Sequence, residues 1–127
     1  MKKAFLDFIT HLQDKITTSI EEIDGEAKFI EDVWKRSEGG GGKSRILENG
    51  KIFEKAGVNI SEVSGILPKS LEGYFDVKDS KFFACGLSLV FHPKNPMIPT
   101  VHANYRYFEL YTLDGDLKDQ WFGGGQD

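Results

Sequence analysis

The sequence predicts an α+β protein in which an N-terminal helix is followed by a mostly antiparallel β-sheet. Apolar residues recur at spacings of three and four over about residues 3–23, which indicates an amphipathic helix that ends at Gly25. Two later stretches, 82–92 and 101–112, alternate between apolar and polar side chains as half-buried strands do. An Asp-Gly pair follows the second stretch and marks a hairpin turn. We expect one domain over residues 1–127.

The composition of the chain excludes several classes of function. Hydrophobic residues make up 39% and aromatic residues 13%, which predicts a packed core. The net charge of −4 argues against a nucleic-acid partner, which would require a basic face. Because the chain has 1 cysteine it forms no internal disulfide, and we expect a reducing, cytoplasmic location. No apolar run reaches the roughly 18 residues of a membrane-spanning helix.

A glycine run, GGGGKS, lies between the first predicted strand and the next. Residues 26–36 fit either a helix or a strand, and we favour a strand that leads into this run. A phosphate-binding loop needs glycine at position 37, where Ser37 stands, so we reject nucleotide binding. Two interpretations remain for the cations Arg36, Lys43 and Arg45. They are solvated charges of a flexible hairpin, or they belong to a glycine-rich lid that holds carboxylates.

The stretch 46–67 predicts a strand, a turn and a second strand, with Gly57 and Gly65 as breaks. Asn59 and Ser61 lie between those two glycines. Each of them either faces a binding site or stabilises a turn, and the sequence leaves both roles open.

The stretch 82–92 places its apolar side chains on one face of a strand. That face comprises Phe83, Cys85, Leu87, Leu89 and Phe91. Cys85 is therefore predicted to be a core residue. Ser88 and His92 share the opposite face, two pleats apart.

The stretch 101–112 carries three polar residues on one face, His102, Asn104 and Arg106. Polar side chains are costly to bury without a partner, so we expect this face to meet water or a polar ligand. The connection to the preceding strand, PKNPMIP, holds three prolines and does not fix the register. As a hypothesis we pair His92 with His102, which places Ser88 opposite Arg106, within reach of one shared ligand.

The Asp-Gly pair constrains the last hairpin better. It predicts a two-residue type I′ turn in which Leu113 pairs with Asp116. This register places Arg106 opposite Gly123, Asn104 opposite Gly125 and His102 opposite Asp127. Because glycine has no side chain, we expect a floor beside Asn104 and Arg106 on which a flat ligand can lie.

Three long stretches of the chain, 36–61, 86–109 and 121–127, resemble the oxygen-dependent coproporphyrinogen-III oxidase family. They occur in the family's order, and the resemblance as a whole extends over nearly the whole chain. The resemblance implies oxidative decarboxylation of two propionates of coproporphyrinogen III to vinyl groups. Dioxygen is then the co-substrate, and the product is protoporphyrinogen IX, a late intermediate of haem biosynthesis.

The resemblance also implies an architecture and an assembly. Family members contain a large helix-flanked antiparallel sheet and act as homodimers. They continue beyond the motif that ends this chain, so we expect residues 1–127 to correspond to the N-terminal part, without the family's C-terminal helices, further histidines and dimerisation segment. An inactive tetrapyrrole-binding fragment is therefore one alternative.

The resemblance assigns roles to individual residues of this chain. His102 matches the proton donor, and Asp127 matches an aspartate that holds or deprotonates pyrrole nitrogens. Ser88 and the segment Asn104, Tyr105 and Arg106 match residues that bind substrate, with the arginine on a propionate.

The sequence leaves open whether a metal is required. His92 and His102 resemble family histidines that have been assigned to a divalent cation, whereas many members are regarded as needing no metal and no organic cofactor. A rival hypothesis takes His92, His102 and Asp127 as a two-histidine, one-carboxylate iron site, which would make the protein a non-haem metal oxygenase with another substrate.

Overall fold

The structure, a computed structural model that describes residues 1–127, contains two helices and six strands. In chain order they are α1 (Lys2–Asp24), β1 (Ile30–Lys35), β2 (Gly40–Glu48), β3 (Phe53–Ile66), α2 (Lys69–Phe75), β4 (Ser80–Pro93), β5 (Val101–Thr112) and β6 (Leu117–Gln126). The strands form one antiparallel sheet in the order β1-β2-β3-β4-β5-β6. The predicted α+β class, the N-terminal helix and the strand at residues 26–36 are therefore confirmed.

The sheet has two unlike sides, because successive side chains of a strand point in opposite directions. The helix face is the side that α1 covers, and its core consists of Ile9, Val58, Ile60, Leu87, Leu89 and Ala103. The open face is the opposite side and carries Asn59, Ser88 and Asn104. The predicted apolar face of residues 82–92, including the buried Cys85, lies on the helix face.

Polar contacts, in addition to apolar ones, hold α1 on the helix face. Gln13 is fully buried, and its Nε2 donates to the carbonyl oxygens of Lys43 at 3.0 Å and Val58 at 2.9 Å. Arg45, on β2, forms ion pairs with Asp14 at 2.8 Å and Glu31 at 2.9 Å. Arg45 therefore joins α1 to β1 and β2, so neither interpretation of this cation, as a solvated charge or as part of a carboxylate-holding lid, is correct.

The end of α1 is clamped to the turn between β2 and β3 by Asp24. This carboxylate is 1% exposed, and it accepts backbone N–H bonds from Ala27, Lys51, Ile52 and Phe53 at 2.9–3.0 Å. Burial alone would raise the pKa of Asp24, but these hydrogen bonds outweigh burial and hold its pKa well below the ordinary value.

The glycine run belongs to the hairpin between β1 and β2, and most of it lies inside β2. Gly40 already begins β2, so the connection after β1 is confined to residues 36–39. Arg36 donates there to the Glu38 carboxylate at 3.0 Å and to the Gly39 carbonyl oxygen at 3.2 Å. A phosphate-binding loop is followed by a helix, whereas this run leads into a strand, so the structure agrees with the rejection of nucleotide binding.

Strand β3 is longer than the sequence predicted. Gly57 and Gly65 lie inside it and pair with Val90 and Phe82, so their assignment as breaks is wrong. The polar residue between them, Asn59, pairs with Ser88 in the middle of the sheet. Asn59 and Ser61 both lie inside β3, so a turn-stabilising role is wrong for them, and a role in facing a binding site stays a prediction.

The hypothesised register between β4 and β5 is wrong by two residues. His102 pairs with Val90, Asn104 with Ser88, and Arg106 with Gly86. His92 therefore does not lie opposite His102, nor Ser88 opposite Arg106. The proline-containing loop takes up the difference, and because the shift is an even number, every side chain keeps its predicted face.

The register between β5 and β6 is confirmed at the site, although the predicted turn is wrong. Thr112 N donates to Asp116 O at 2.8 Å, so the loop has three residues, and Gly115 has φ 97°, a conformation that glycine tolerates best. An irregularity between Leu110 and Tyr111 then restores the expected pairing of Arg106 with Gly123.

Helix α2 was not predicted. It has seven residues and includes Gly73, which weakens the periodic signal. Its one local indication is Pro68, directly before its first residue. No helix of the structure is both long enough and apolar enough to cross a membrane.

Candidate functional site

A polar row crosses the open face at the level of Ser88. Each member is paired by register with the next, and the row consists of Ser44, Asn59, Ser88, Asn104 and Gly125. Directly opposed residues have β-carbons roughly 4.5–5.5 Å apart, so the four polar side chains are neighbours and end beside the bare backbone of Gly125.

Two amides in this row are not used by the fold. The Oδ1 atoms of Asn59 and Asn104 are buried and have no hydrogen-bond partner. A buried acceptor without a partner destabilises a protein by roughly 1–3 kcal/mol. The two amides stand on either side of Ser88, so this cost is concentrated at one place on the open face.

Arg106 is an unpaired cation beside this row. It is exposed, and no carboxylate lies within ion-pair distance of its guanidinium, not even that of Asp127 on the neighbouring strand. Its neighbours on both sides are glycines, Gly86 and Gly123. A β-carbon at Gly86 would lie 2.8 Å from Arg106 Cγ and 2.7 Å from the Tyr105 carbonyl oxygen, so only glycine fits beneath this arginine.

The predicted glycine floor is present on the other side of Arg106. A β-carbon added at Gly123 or Gly125 would meet no atom within 4 Å, so the space above both residues is open. Gly124 differs, because its β-carbon would collide with the Asn104 carbonyl oxygen. A flat molecule can therefore approach the backbone of β6 next to Arg106 and Asn104.

A cavity of ≈ 210 Å³ extends this surface towards α2. Arg106 and Gly123 form its polar end, and its walls are Tyr74, Phe75, Phe108 and Trp121. Phe108 stacks on Trp121 with ring centroids 4.7 Å apart and on Phe75 at 5.4 Å. The guanidinium thus lies at the mouth of an aromatic cavity, an arrangement that suits a ring carrying a carboxylate arm.

His102 and Asp127 are brought together by backbone pairing. Asp127 N donates to His102 O at 2.8 Å, and His102 N donates to Asp127 O at 3.2 Å. Directly opposed residues share a face, so both side chains lie on the open face, one row from Asn104. The predicted juxtaposition of this histidine and this carboxylate is present.

His92 is not part of that pair. It lies on the open face near the end of β4, and its Nδ1 is 3.5 Å from Thr100 Oγ1. Nowhere in the structure do three or more His, Cys, Asp or Glu side chains form a group that could hold a metal ion. His92, His102 and Asp127 are therefore not gathered as the iron-site hypothesis requires.

Tyr105 is separated from the other predicted substrate-binding residues. It pairs with Leu87 and Gly124 and points to the helix face, where its hydroxyl donates to Gln126 Oε1 at 3.4 Å. Its side chain is thus on the opposite side of the sheet from Ser88 and Arg106. Only its backbone can contribute to a site on the open face.

The perturbed titratable groups of the sheet lie on the helix face. The Tyr107 hydroxyl donates to the buried Glu109 carboxylate at 2.6 Å, and Tyr111 donates to the other oxygen of Glu109. Its hydrogen bond to Glu109, together with burial, raises the pKa of Tyr111 to about 12. Burial and then Glu62 and Glu109 raise the pKa of Cys85 to about 11, which leaves this thiol protonated and unreactive.

Known proteins resemble this chain over nearly its whole length. The sequence model of one family, described as Coproporphyrinogen III oxidase, matches residues 4–127. A protein named oxygen-dependent coproporphyrinogen-III oxidase from Prochlorococcus marinus subsp. pastoris (strain CCMP1986 / NIES-2087 / MED4) is 55% identical over 123 residues, which are 95% of this chain and 34% of that protein. The protein of the same name from strain MIT 9312 is 56% identical over 118 residues, 91% of this chain and 33% of the relative. The chain thus spans about a third of the length of the curated relatives it matches.

Proposed function

Because the chain belongs to the coproporphyrinogen III oxidase family, we propose that it forms the substrate-binding sheet of an enzyme that converts coproporphyrinogen III to protoporphyrinogen IX. Two propionate arms become vinyl groups, a step of haem biosynthesis. Each arm loses carbon dioxide and two electrons. The four electrons reduce one dioxygen to two water molecules, with net uptake of two protons.

The observation that carries this proposal is the unpaired guanidinium of Arg106 between two glycines. The protein has a net charge of −4, so its overall charge does not attract a substrate with four carboxylates. A local cation with a planar fork of donors binds one carboxylate bidentately. Arg106 has this geometry available, because no acidic side chain of the chain occupies it.

The floor beside Arg106 suits the macrocycle. Gly123 and Gly125 leave open space, and Ser88 and Asn104 present polar groups at the same level. We propose that the ring lies over the two glycines, with one propionate on Arg106. The apolar edge of that pyrrole then faces Phe108 and Trp121 in the aromatic cavity.

His102 and Asp127 are proposed to act on the ring. The Asp127 carboxylate accepts hydrogen bonds from pyrrole N–H groups and stabilises positive charge that develops on the ring. His102 supplies a proton, because an imidazole can act as a general acid towards a ring bound beside it. Their pairing across β5 and β6 is the support for treating them as one unit.

Dioxygen is proposed as the oxidant without an organic cofactor, since an electron-rich pyrrole can itself react with it. A resident divalent cation does not fit the residues of this chain alone, because they form no group of three or more ligands. We therefore derive no step through a metal. A homodimer belongs to the same proposal and rests on the resemblance, and a cytoplasmic location is proposed from the single cysteine.

Anaerobic titration of the chain with coproporphyrinogen III tests the proposal, and binding is followed by tryptophan fluorescence. We expect saturable binding that Arg106→Ala weakens at least roughly tenfold, the size of a lost charge-assisted hydrogen bond. Lys81→Ala removes a cation from the helix face and is the matched control, which we expect to bind normally. Arg36→Ala tests the remaining lid alternative.

The outcomes of this titration separate the alternatives. Equal binding by Arg106→Ala and the unsubstituted chain would contradict the proposed propionate site. Binding without product after oxygen is admitted would identify a tetrapyrrole-binding fragment. The same titration on the chain extended by the remaining two thirds of a Prochlorococcus relative shows whether turnover requires those residues.

A further inference from the structure

We infer that Asn59 binds the substrate and forms, with Asn104, a pair of amides on either side of Ser88. This inference rests on the proposed function, because it extends the same site from β5 across β4 to β3. Nothing in the sequence resemblance assigned a role to Asn59. Its position in the sheet and the state of its polar atoms carry the argument.

The position of Asn59 mirrors that of Asn104. Asn59 pairs with Ser88 on one side, and Asn104 pairs with Ser88 on the other. The two asparagines are therefore two strand spacings apart, about 10 Å. A tetrapyrrole ring that covers Ser88 is wide enough to reach both amides.

The side chain of Asn59 contributes no hydrogen bond to the fold. Its Oδ1 is buried without a partner, and its Nδ2 is not among the buried unpaired atoms, so that end of the amide reaches the surface. Asparagine is also disfavoured in the interior of strands. Neither end of this amide is used by the fold, and its accessible Nδ2 is the atom that a ligand outside the chain can contact.

Gln13 provides the contrast within the same molecule. It too has a buried oxygen without a partner, Oε1. Its Nε2, however, donates to two backbone carbonyl oxygens, so this amide holds α1 on the sheet. Asn59 has no such contact, and its role cannot be explained in the same way.

The surface between Asn59 and Arg106 is low enough for one ligand to touch both. Gly57 and Ser61 flank Asn59 on the open face of β3, and Gly86 lies between Ser61 and Arg106. A β-carbon at Gly57 would meet only Val90, at 3.7 Å. A carboxylate-bearing ring held by Arg106 can therefore place a second arm over Asn59.

The accessible Nδ2 group defines the chemistry of this contact. An amide N–H donates to a carboxylate oxygen, so Asn59 takes a second propionate of the substrate. A carboxylate in place of this amide would repel the same arm. Asn59 is therefore proposed to donate a hydrogen bond to an anionic arm, whereas the Asp127 carboxylate is proposed to accept one from a pyrrole N–H.

Three variants test the inference in the anaerobic coproporphyrinogen III titration, each with a thermal melt. Asn59→Leu should weaken binding roughly tenfold while the melting temperature stays unchanged or rises. Asn59→Asp should bind more weakly than Asn59→Leu. Gln126→Leu makes the same chemical change on the helix face and should bind like the unsubstituted chain.

The melt keeps the test independent of folding. Gln13→Leu removes an amide that the fold uses, so its melting temperature should fall, in contrast to Asn59→Leu. Normal binding by Asn59→Leu, with binding lost in Arg106→Ala, would overturn this inference and leave the proposed function standing. Normal binding by Asn59→Asp would overturn the carboxylate contact. No binding by the unsubstituted chain, alone and extended by the rest of a relative, would overturn both.

Discussion

The two faces of the sheet treat polar groups in opposite ways. On the helix face, Asp24 accepts backbone N–H bonds, Arg45 has two carboxylates, and Glu109 has two tyrosine hydroxyls. On the open face, Arg106 has no carboxylate, and the Oδ1 atoms of Asn59 and Asn104 have no donor. Gln13 Oε1 on the helix face also lacks a partner, but Gln13 Nε2 holds α1 on the sheet, so the open face differs in that its amides and its guanidinium contribute no side-chain hydrogen bond to the fold.

Substitution of Asp24 should give the largest loss of stability, because it removes the acceptor of several buried N–H groups. We expect Asp24→Ala to lower the free energy of unfolding in urea by roughly 3 kcal/mol or more. Asp7→Ala, an exposed position of the same helix, is the control. If Asp24→Ala lowered the free energy of unfolding no more than Asp7→Ala does, the claim that polar contacts on the helix face stabilise the fold would be contradicted.

The same carboxylate predicts how stability depends on acid. The pKa of Asp24 is lower in the folded protein than its ordinary value of 3.8. The contribution of Asp24 to the free energy of unfolding is therefore fully present above pH 3.8 and is lost progressively as the pH falls below it. The stability difference between the unsubstituted chain and Asp24→Ala should shrink below pH 3.8, measured by urea unfolding at several pH values.

Two glycines beside Arg106 sharpen the comparison within the open face. Gly86→Ala should destabilise the protein by roughly 1–3 kcal/mol, because its β-carbon meets backbone and the arginine stem. Gly123→Ala should leave the melting temperature nearly unchanged, since its β-carbon meets nothing. It should still weaken substrate binding by raising the floor. Equal melting temperatures for the two variants would show that the close approach at Gly86 is not required.

Tyr111 offers a spectroscopic measure of the helix face. Its pKa is raised to about 12, first by its hydrogen bond to Glu109 and then by burial. Absorbance at alkaline pH should show a phenolate transition near pH 12 that Tyr111→Phe removes and Tyr74→Phe leaves in place. Burial and Glu109 raise the pKa of Tyr107 further, so its transition lies at higher pH. The hydrogen bond from Tyr111 to Glu109 stabilises the folded protein while the phenol is protonated. Because the pKa of Tyr111 is higher in the folded protein, this stabilisation is fully present below pH 10 and is lost as the pH rises through about 12.

The smallest expected effect on stability belongs to Asn104. Asn104→Leu removes an amide whose Oδ1 has no partner, so the free energy of unfolding should stay constant or rise by up to about 1 kcal/mol. Chemical denaturation measures this change. A loss comparable to that of Asp24→Ala would mean that the open face stabilises the fold after all.

Alternation along the strands accounts for most of what the sequence predicted. It placed Ser88, His102, Asn104 and Arg106 on one face, and the structure has them there. The register between β4 and β5 was out of reach, because a long loop with three prolines permits several pairings. The pairing of Arg106 with Gly123 was predicted through an incorrect turn, and a local irregularity in the ladder compensated for that error.

The residues that the sequence misjudged depend on distant contacts. Helix α2 is too short to give a periodic signal, so the aromatic cavity above Arg106 was not anticipated. Arg45 and Arg106 look alike in sequence, yet one is held by Asp14 and Glu31 and the other is free. Only the three-dimensional structure separates an arginine that holds a helix from one that is available to a ligand.

The order of the strands has a consequence for how the molecule forms. Every strand pairs antiparallel with its neighbour in the chain, so each addition to the sheet requires closing only one connection, the longest of which contains α2. Closing short loops costs little chain entropy, and folding through such local contacts is comparatively fast. The polar row lies across the neighbouring strands β2 to β6, so no distant segment has to be threaded into the sheet to complete it.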